Sequence, residues 1–274
     1  METKILITGP EGYIGKKLIQ VLKTSQERYE IIPWNREFGP ITNEKIFKSV
    51  LYKFRPDKVV LSAWQSTAGL DYEKNENHLL WPSITKMHIE TCLKLQSKVI
   101  VFGSVVDSNL LPKDKNTDYI KSKIELRKIV DEKLPNDKLI YVRLHYVLDE
   151  LSKKPRLFSD ISESISRGEE FRPKDTESLK NYIHINDVIS ALLKLLEFDM
   201  NGVVDICSEY ERNTYSLASC LYKKSGIFYP DITKAFTRKT LPKSSTLQLM
   251  KYGWAPNETN AFFKDGEFKH TKFE

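Results

Sequence analysis

The sequence has few of the residues from which crosslinks and metal sites are built. Its 274 residues include only three cysteines, Cys92, Cys207 and Cys220, and these are far apart. Because no Cys-x-x-Cys pair or Cys/His cluster is present, the sequence predicts neither a disulfide framework nor a metal site. Cysteine used this sparingly is typical of a reducing compartment.

Long hydrophobic runs and the layout of a signal peptide are also missing. No apolar stretch reaches the roughly 20 residues that cross a bilayer. The opening METKILITG lacks the successive charged, apolar and small-residue regions of a secretory leader. From these two absences we expect a cytoplasmic protein that has no membrane partner.

A dense run of one charge is missing as well. The 43 basic and 37 acidic residues give a net charge of +6, which is spread along the chain as Lys/Glu mixtures. Since no basic stripe is interleaved with aromatic residues, nucleic-acid binding is not predicted. The small positive excess suits an anionic small molecule, although solvated surface lysines account for most of it.

What the chain does contain is an alternation of short apolar runs with helical segments. Five segments have the composition of buried strands: KILIT, YEIIPWN, KVVLSAW, KVIVFGS and KLIYVRLHYV. The stretches between them carry apolar residues at helical spacing. Strands that are apolar along their length and alternate with helices predict an α/β fold, with a parallel sheet covered on both faces. After about Asp149 the pattern loosens into shorter helical and extended pieces.

A cluster of glycines follows the first predicted strand. The chain has only 11 glycines, yet three of them, Gly9, Gly12 and Gly15, lie within the seven residues GPEGYIG. A tight turn from strand to helix needs glycine where a side chain would clash, and it lets backbone N–H groups approach a pyrophosphate at the positive end of the helix. The spacing therefore predicts a dinucleotide-binding turn.

The segment TDYIKSKIEL places Tyr119 one helical turn before Lys123. Residues four apart share a helix face, and a cation beside a phenol lowers its pKa from the usual value of about 10. Such a pair would form a proton donor that works near neutral pH. Taken alone, however, the same pattern also fits an amphipathic helix with a half-buried tyrosine and a solvated lysine.

Taken in order along the chain, these motifs resemble those of a known family. TGPEGYIG, RPDKVVLSAW, FGS, YIKSK, KNYIHINDV and YGWAP occur in the order found in the extended short-chain dehydrogenase/reductases, the nucleotide-sugar epimerases, dehydratases and reductases. The resemblance implies a Rossmann-type, doubly wound parallel sheet with a small mixed α/β C-terminal substrate lobe. It implies a dinucleotide-binding domain over residues 1–150, which includes the catalytic helix. Residues 151–274 would form mainly a substrate-binding lobe, interleaved with the first domain.

The resemblance also implies roles for individual residues. Ser104, Tyr119 and Lys123 would be catalytic: the serine would bind the substrate's carbonyl oxygen, the tyrosine would protonate it, and the lysine would lower the tyrosine pKa and hold the nicotinamide ribose. The residues expected to bind the cofactor are Gly9, Gly12, Tyr13, Ile14, Gly15, Asn35, Arg36, Ala63, Tyr119 and Lys123. Those expected to bind the substrate are Trp64, Gln65, Ser104 and Lys180.

Two departures from the family pattern narrow the expected reaction. Dehydratases of this family follow the serine with an Asp-Glu pair, and some epimerases place a cysteine two positions after it. This chain has Val105 and Val106 there, which cannot titrate. Reduction of a keto-sugar, oxidation of a sugar alcohol, or 4-epimerisation remains.

The residues after the second predicted strand bear on the choice of cofactor. NAD binding usually needs an acid there, but the chain offers Asn35 and Arg36, and an arginine pairs well with a 2′-phosphate. NADP(H) is therefore favoured over NAD(H).

The expected function is that of an NADPH-dependent reductase of a nucleotide-linked 4-keto-6-deoxy sugar, in deoxysugar or surface-polysaccharide biosynthesis. The resemblance is nearest to the small deoxysugar 4-ketoreductases. A C4 epimerase with bound NAD and a non-catalytic dinucleotide-binding regulator are the alternatives. The family habit also leads us to expect a homodimer.

Overall fold

The computed structural model describes residues 2–25, 29–64, 75–108, 117–134, 136–149, 157–229, 233–240 and 243–264. The chain forms two compact units. The first comprises Met1–Leu144 with Leu192–Val204, and the second comprises His145–Ala191 with Asp205–Glu274. Within the described ranges, no helix is long and apolar enough to cross a membrane. The predicted division at residue 150 stays a prediction.

The first unit is built on a six-stranded sheet with the strand order β2-β1-β3-β4-β5-β8. Its strands are β1 (Thr3–Thr8), β2 (Tyr29–Pro33), β3 (Lys58–Leu61), β4 (Lys98–Ser104), β5 (Leu139–Leu144) and β8 (Gly202–Ile206). Strands β1 to β5 pair in parallel. They are rich in Val, Ile and Leu on both faces, as expected for a parallel sheet covered by helices.

Helices connect these strands and cover the sheet. They are α1 (Tyr13–Thr24), α2 (Glu44–Phe54), α3 (Trp81–Lys94), α4 (Asp118–Lys133) and α6 (Ile185–Glu197). Short 3-10 helices among the described residues lie at Arg36–Phe38, Glu76–Leu80 and Val105–Asp107. The main core lies between the helices and the sheet and includes fully buried Leu6, Phe47, Val99 and Tyr141. The predicted α/β doubly wound fold is confirmed.

The strand order explains where a ligand site would lie. The chain passes from β2 to β3 across β1, so successive connections leave in opposite directions at the carboxyl ends of β1 and β3. In open α/β sheets ligands bind at such a switch point. The glycine turn follows β1, and Ala63 and Trp64 follow β3, so these predicted residues flank the switch point.

The second unit contains a four-stranded mixed sheet with the order β10-β9-β7-β6. Its strands are β6 (Tyr146–Leu148), β7 (Lys180–His184), β9 (Tyr210–Arg212) and β10 (Thr237–Lys239). Its helices are α5 (Leu157–Ser166), α7 (Thr214–Lys224), α8 (Ser244–Lys251) and α9 (Asn257–Lys264). Asp187 accepts bonds from the backbone N–H groups of Glu258 and Thr259, which fixes the start of α9.

One predicted strand is divided in the structure. KLIYVRLHYV reads as a single strand in sequence, but it forms β5 and β6, which belong to different sheets. Residue His145 separates them. The prediction of one continuous strand was wrong because an apolar run carries no signal for the point at which a chain leaves one sheet for another.

Candidate functional site

The glycine turn after β1 is packed too closely for side chains. Gly9 has a φ of +65°, and a Cβ atom on it would lie 3.0 Å from the Cα of Ala63. A Cβ on Gly15 would lie 2.3 Å from the carbonyl oxygen of Gly9. The turn is closed by a hydrogen bond from the Gly12 N–H to the Gly9 carbonyl oxygen, at 2.9 Å. Glycine is therefore required by both conformation and contact.

The same turn presents the start of α1. The helix begins at Tyr13 and continues through Ile14, and its N-cap residue is Gly12, which supplies no side-chain cap. The first turn contains no acidic residue. Since the first N–H groups of a helix lack intrahelical partners and the helix dipole is positive there, this end suits a phosphate group.

The segment after β2 carries the two residues predicted to select the cofactor. Asn35 caps the Arg36–Phe38 helix, since its Oδ1 accepts from the N–H groups of Glu37 and Phe38 at 3.0 and 3.2 Å. The arginine side chain is exposed. Because β2 pairs with β1, this helix follows the strand next to the glycine turn. The side chain of Asn35 thus shapes the loop, while Arg36 remains accessible to a ligand.

Lys123 is buried against the carboxyl end of β4. Thr117 caps α4 by accepting from the Ile120 N–H at 3.4 Å, which starts the helix just before Tyr119. The Lys123 Nζ donates to the Phe102 carbonyl oxygen at 3.2 Å and lies 3.4 Å from the centroid of the Trp64 ring. It is 5.8 Å from the centroid of the Tyr119 ring. The predicted tyrosine and lysine are therefore brought together.

Burial lowers the pKa of Lys123 to about 7 from its ordinary 10.5, and the charge of Asp107 works in the opposite direction. A buried ammonium loses hydration that a carbonyl and an aromatic face replace only in part. The side chain therefore changes protonation state near neutral pH. A lysine of this kind is suited to a site where protons are transferred.

Aromatic side chains surround this lysine and tyrosine. The Trp64 indole N–H donates to Nδ1 of His78 at 2.8 Å, and its ring stacks on Trp81 at a centroid distance of 5.7 Å. The fully buried His78 meets the Tyr119 ring edge-on at 5.2 Å. Trp64, predicted as a substrate contact, thus has a ring contact with the ammonium, and its predicted role stays a prediction. Gln65 lies outside the described residues.

Ser104 lies at the end of β4, where it begins the Val105–Asp107 helix. Its Oγ accepts from the Val106 N–H at 3.4 Å, and its own N–H donates to Asp107 Oδ2 at 3.1 Å. This reciprocal arrangement is a capping box. Helix α4 packs against this short helix, so the predicted serine, tyrosine and lysine all lie around the carboxyl end of β4.

Asp107 and His78 are two residues at this site that the sequence did not reveal. Asp107 had a signal, because Ser104-x-x-Asp107 has the spacing of a capping box. His78 had none, since a single histidine outside any motif has no distinctive pattern. Neither contact could be inferred from local sequence alone, because Trp64 and His78 are separated by 14 residues.

Lys180, the remaining predicted substrate residue, lies in the second unit at the start of β7. Its Nζ donates to Asp175 Oδ2 at 2.9 Å and is 5.6 Å from the centroid of the Tyr146 ring. The pKa of Asp175 is lowered to about 2, because its hydrogen bonds to Lys180 and Ser178 outweigh its burial. The lysine charge is therefore already matched by a carboxylate.

The chain is similar to known proteins over most of its length. The chain is 26% identical over 221 residues to the CDP-abequose synthase of Salmonella muenchen, covering 73% of this chain and 72% of that protein. It is 24% identical over 241 residues to the GDP-6-deoxy-D-talose 4-dehydrogenase of Aggregatibacter actinomycetemcomitans, covering 80% and 79%. The crystal structure of dTDP-4-dehydrorhamnose reductase from Bacillus anthracis in complex with NADP superposes with a TM-score of 0.76 at 16% identity, covering 96% and 97%.

The family itself is shown by a match to a family model. Residues 5–207 match the model of the NAD dependent epimerase/dehydratase family. This range contains the glycine turn, Ser104, Tyr119 and Lys123. The predicted membership of the extended short-chain dehydrogenase/reductases is thereby confirmed. The chain belongs to the NAD dependent epimerase/dehydratase family, a family of nucleotide-sugar enzymes that use a nicotinamide dinucleotide.

Proposed function

We propose that this protein is an NADPH-dependent reductase of a nucleotide-linked 4-keto-6-deoxy hexose. The observation that carries the proposal is the grouping of Ser104, Tyr119 and the buried Lys123 around the end of β4. Two of the three similar proteins are named for oxidation or reduction at position 4 of a nucleotide-linked sugar. Their names support the same position for this enzyme.

The residues after the serine support reduction over dehydration. Val105 and Val106 occupy the positions where a dehydratase would need titratable groups. The side chain of the next residue, Asp107, is fully buried and already accepts bonds from Ser104, Tyr141 and Arg143. A carboxylate bound in this way is poorly suited to exchange protons with a substrate. Simple reduction at one carbon needs no such group.

The glycine turn fits a nicotinamide dinucleotide. Gly9 and Gly15 leave no room for Cβ atoms, and the uncapped start of α1 offers its N–H groups to a pyrophosphate. Gly9, Gly12, Tyr13, Ile14, Gly15 and Ala63 would hold this part of the cofactor. Arg36 is exposed beyond β2, and no acid lies between the end of that strand and the arginine, so it would pair with the 2′-phosphate of NADP(H).

In the proposed reaction Ser104 and Tyr119 bind and protonate the carbonyl oxygen of the substrate. The bound nicotinamide supplies a hydride to the keto carbon. Ser104 donates a hydrogen bond to the carbonyl oxygen, and Tyr119 gives that oxygen a proton as negative charge develops on it. Lys123, when charged, favours loss of the tyrosine proton and would also hold the cofactor's ribose.

Lys180 would contact the diphosphate of the sugar nucleotide. To do so it would exchange or share its partner Asp175, because the ammonium already donates to that carboxylate. A lysine provides charge but not the bidentate geometry of an arginine. Trp64 and Gln65 remain predicted substrate contacts, and the homodimer remains a prediction.

A spectrophotometric assay tests the function. Wild-type protein is mixed with NADPH or NADH and a panel of 4-keto-6-deoxy sugars on different nucleotides, and the loss of absorbance of the reduced cofactor is followed. We expect consumption with at least one sugar, faster with NADPH than with NADH.

The Tyr119→Phe variant is the matched control, because it removes only the phenolic hydroxyl. We expect it to lower kcat by at least about 100-fold and to bind NADPH as the wild type does. Failure of the wild type to consume either cofactor with every sugar would refute the reductase. Interconversion of two sugars without net cofactor oxidation would establish an epimerase in its place.

A further inference from the structure

We infer that Asp107 is a positioning residue for this reaction: it fixes Ser104 at the end of β4, the strand whose Phe102 carbonyl oxygen receives Lys123, and its charge acts on that lysine. The inference rests on the proposed function, since it assigns Asp107 through the roles of those two residues. It concerns a carboxylate that the family motifs did not single out.

Asp107 is hydrogen-bonded directly to Ser104. The Ser104 N–H donates to Asp107 Oδ2 at 3.1 Å, while the serine Oγ accepts from the Val106 N–H. These bonds define the backbone conformation from which the hydroxyl projects. A change at Asp107 would therefore alter the direction of the Ser104 hydroxyl without touching it.

Two side chains of strand β5 hold Asp107 in place. The Tyr141 hydroxyl donates to Asp107 Oδ2 at 2.6 Å, and Arg143 Nε donates to Oδ1 at 2.8 Å. With the Ser104 N–H, the fully buried carboxylate has three donors from two neighbouring strands. Hydrogen bonds to a charged acceptor are strong and directional, so β5 determines where Asp107 lies.

The Tyr141 ring needs space beside β4 in order to reach Asp107. A Cβ atom at Gly103 would lie 2.1 Å from Cζ of Tyr141. The phenol therefore passes directly over the residue before Ser104, and only glycine permits this approach. The predicted FGS motif thus has a structural reason for its glycine: it makes room for the ring that holds Asp107.

The charge of Asp107 also affects Lys123. The contacts of its ammonium are the Phe102 carbonyl oxygen and the Trp64 and Tyr119 rings, and the charge of Asp107 acts on it from the neighbouring Val105–Asp107 helix. Among these, the Asp107 charge is the one that raises the pKa of Lys123 against the effect of burial. The carboxylate thus keeps more of the lysine protonated near neutral pH.

The charged groups that face Asp107 must be considered as well. Tyr141 and Arg143 contact it from β5, and the Arg127 guanidinium of α4 lies 5.3 Å from the centroid of the Tyr141 ring. The pKa of Tyr141 is raised well above its usual value, first by burial and then by Asp107. The phenol is therefore a neutral donor to Asp107.

The test measures the protonation of Lys123 directly in the protein without cofactor or substrate. The side-chain signal of Lys123 is followed by NMR as a function of pH in protein labelled with 13C- and 15N-lysine, and it is assigned with Lys123→Met. In Asp107→Asn, which keeps the shape but removes the charge, we expect the midpoint to fall by about one pH unit or more. Glu125→Gln, at an exposed acid of the same helix, should leave it unchanged.

The second measurement is the pH dependence of kcat/KM with the best keto-sugar of the panel. If Lys123 acts in its charged form, activity falls as pH rises through its pKa, so Asp107→Asn should lose activity at a lower pH than the wild type. Tyr141→Phe keeps both the charge and the ring. It should lower kcat by about tenfold through Ser104, with a smaller displacement of the profile.

The outcomes separate this inference from the proposed function. An unchanged Lys123 midpoint in Asp107→Asn, or an unchanged kcat in Tyr141→Phe, overturns the role of Asp107 even if keto-sugars are reduced. A displaced midpoint in a protein that reduces no keto-sugar supports the charge coupling and refutes the substrate. If Asp107→Asn does not fold, Tyr141→Phe still decides whether the anchor matters.

Discussion

Lys98 stands at the amino end of β4, whereas Lys123 lies against the carboxyl end of the same strand. Lys98 Nζ donates to the Phe198 carbonyl oxygen, and the neighbouring Lys58 donates to that of Leu196. Lys123 instead meets the Phe102 carbonyl oxygen and the Trp64 ring. In both lysines burial lowers the pKa, and in Lys123 it does so to about 7.

The two ends differ because of the way helices are arranged around a doubly wound sheet. The carbonyl groups that receive Lys58 and Lys98 belong to the end of α6, where unpaired carbonyls and the negative end of the dipole favour a cation. The carboxyl ends of the strands face helix starts, such as that of α1 after Gly12, where the dipole is positive. The end of α6 therefore offsets part of the cost of burying the Lys98 ammonium, although its pKa is still lowered, whereas Lys123 lacks this support, which suits the first end to structure and the second to chemistry.

The largest expected difference between the two ends is in activity. We expect Lys123→Met to lower kcat/KM for the keto-sugar by at least about 100-fold, because it removes the cation beside the proton donor. Lys98→Met should stay within about twofold of the wild type, because its contacts are confined to the amino end. Steady-state rates of NADPH oxidation measure both variants.

Lys98 is a strict control for this comparison, since one substitution removes a partly buried ammonium from β4 and the other removes a buried ammonium from α4, which packs against the same strand. Equal losses in the two variants would mean that any buried lysine is needed for the fold alone. A Lys123→Met enzyme that kept its activity would remove the lysine from the proposed chemistry.

Lys123→Met should raise the stability of the protein, although it lowers the activity. The folded-state pKa of Lys123 is about 7 and the ordinary value is 10.5, so the unfolded chain binds more protons between these two values. The stability of the wild type therefore rises with pH across that window, and the full penalty of the buried charge applies below it. Lys123→Met should raise the free energy of unfolding by about 2–4 kcal/mol at pH 6, and less at pH 9.5.

Urea unfolding at the two pH values checks this expectation. Lys98→Met should change stability by about 1 kcal/mol or less at pH 6, because the lost hydrogen bond to a helix end and the relief of a partly buried charge oppose each other. If Lys123→Met destabilised the protein at pH 6, or gave the same gain at both pH values, the buried charge would not be the strained group that we describe.

The sequence predicted the parts of this site that depend on local chemistry. The clustering of Gly9, Gly12 and Gly15 indicated a tight turn, and the structure shows the contacts that demand it. The four-residue spacing of Tyr119 and Lys123 indicated a shared helix face, and their approach follows from the helix that Thr117 caps. Spacing within one element is sufficient for such inferences.

The sequence could not predict the contacts that join distant elements. Tyr141 and Arg143 hold Asp107 from 34 and 36 residues away, and their strand reads only as an apolar run. The same run hid the break between β5 and β6, since hydrophobic pattern gives the type of an element and not its partner. Lys123 was expected beside the phenol, but its nearest ring is that of Trp64, which follows a different strand.

The smallest expected effect is the non-additivity of paired substitutions in stability, whose sign should differ between the two ends of β4. Lys58 and Lys98 both lie at the end of α6, and the charge of Lys58 lowers the pKa of Lys98, so they repel each other. Each single change to Met relieves that repulsion, but the double change relieves it only once. The double variant should therefore lose about 0.5 kcal/mol more stability than the sum of the singles.

At the carboxyl end the corresponding pair is Lys123 and Asp107, whose charges attract. The non-additivity of the stability changes therefore has the opposite sign. Each single variant, Lys123→Met or Asp107→Asn, loses the attraction, so the sum of the two losses includes it twice, whereas the double variant loses it only once. The double variant should therefore be more stable than that sum by a comparable amount at pH 6, where the lysine is charged. Two cycles of the same sign would contradict the contrast, because they would mean that both ends treat the buried ammonium alike.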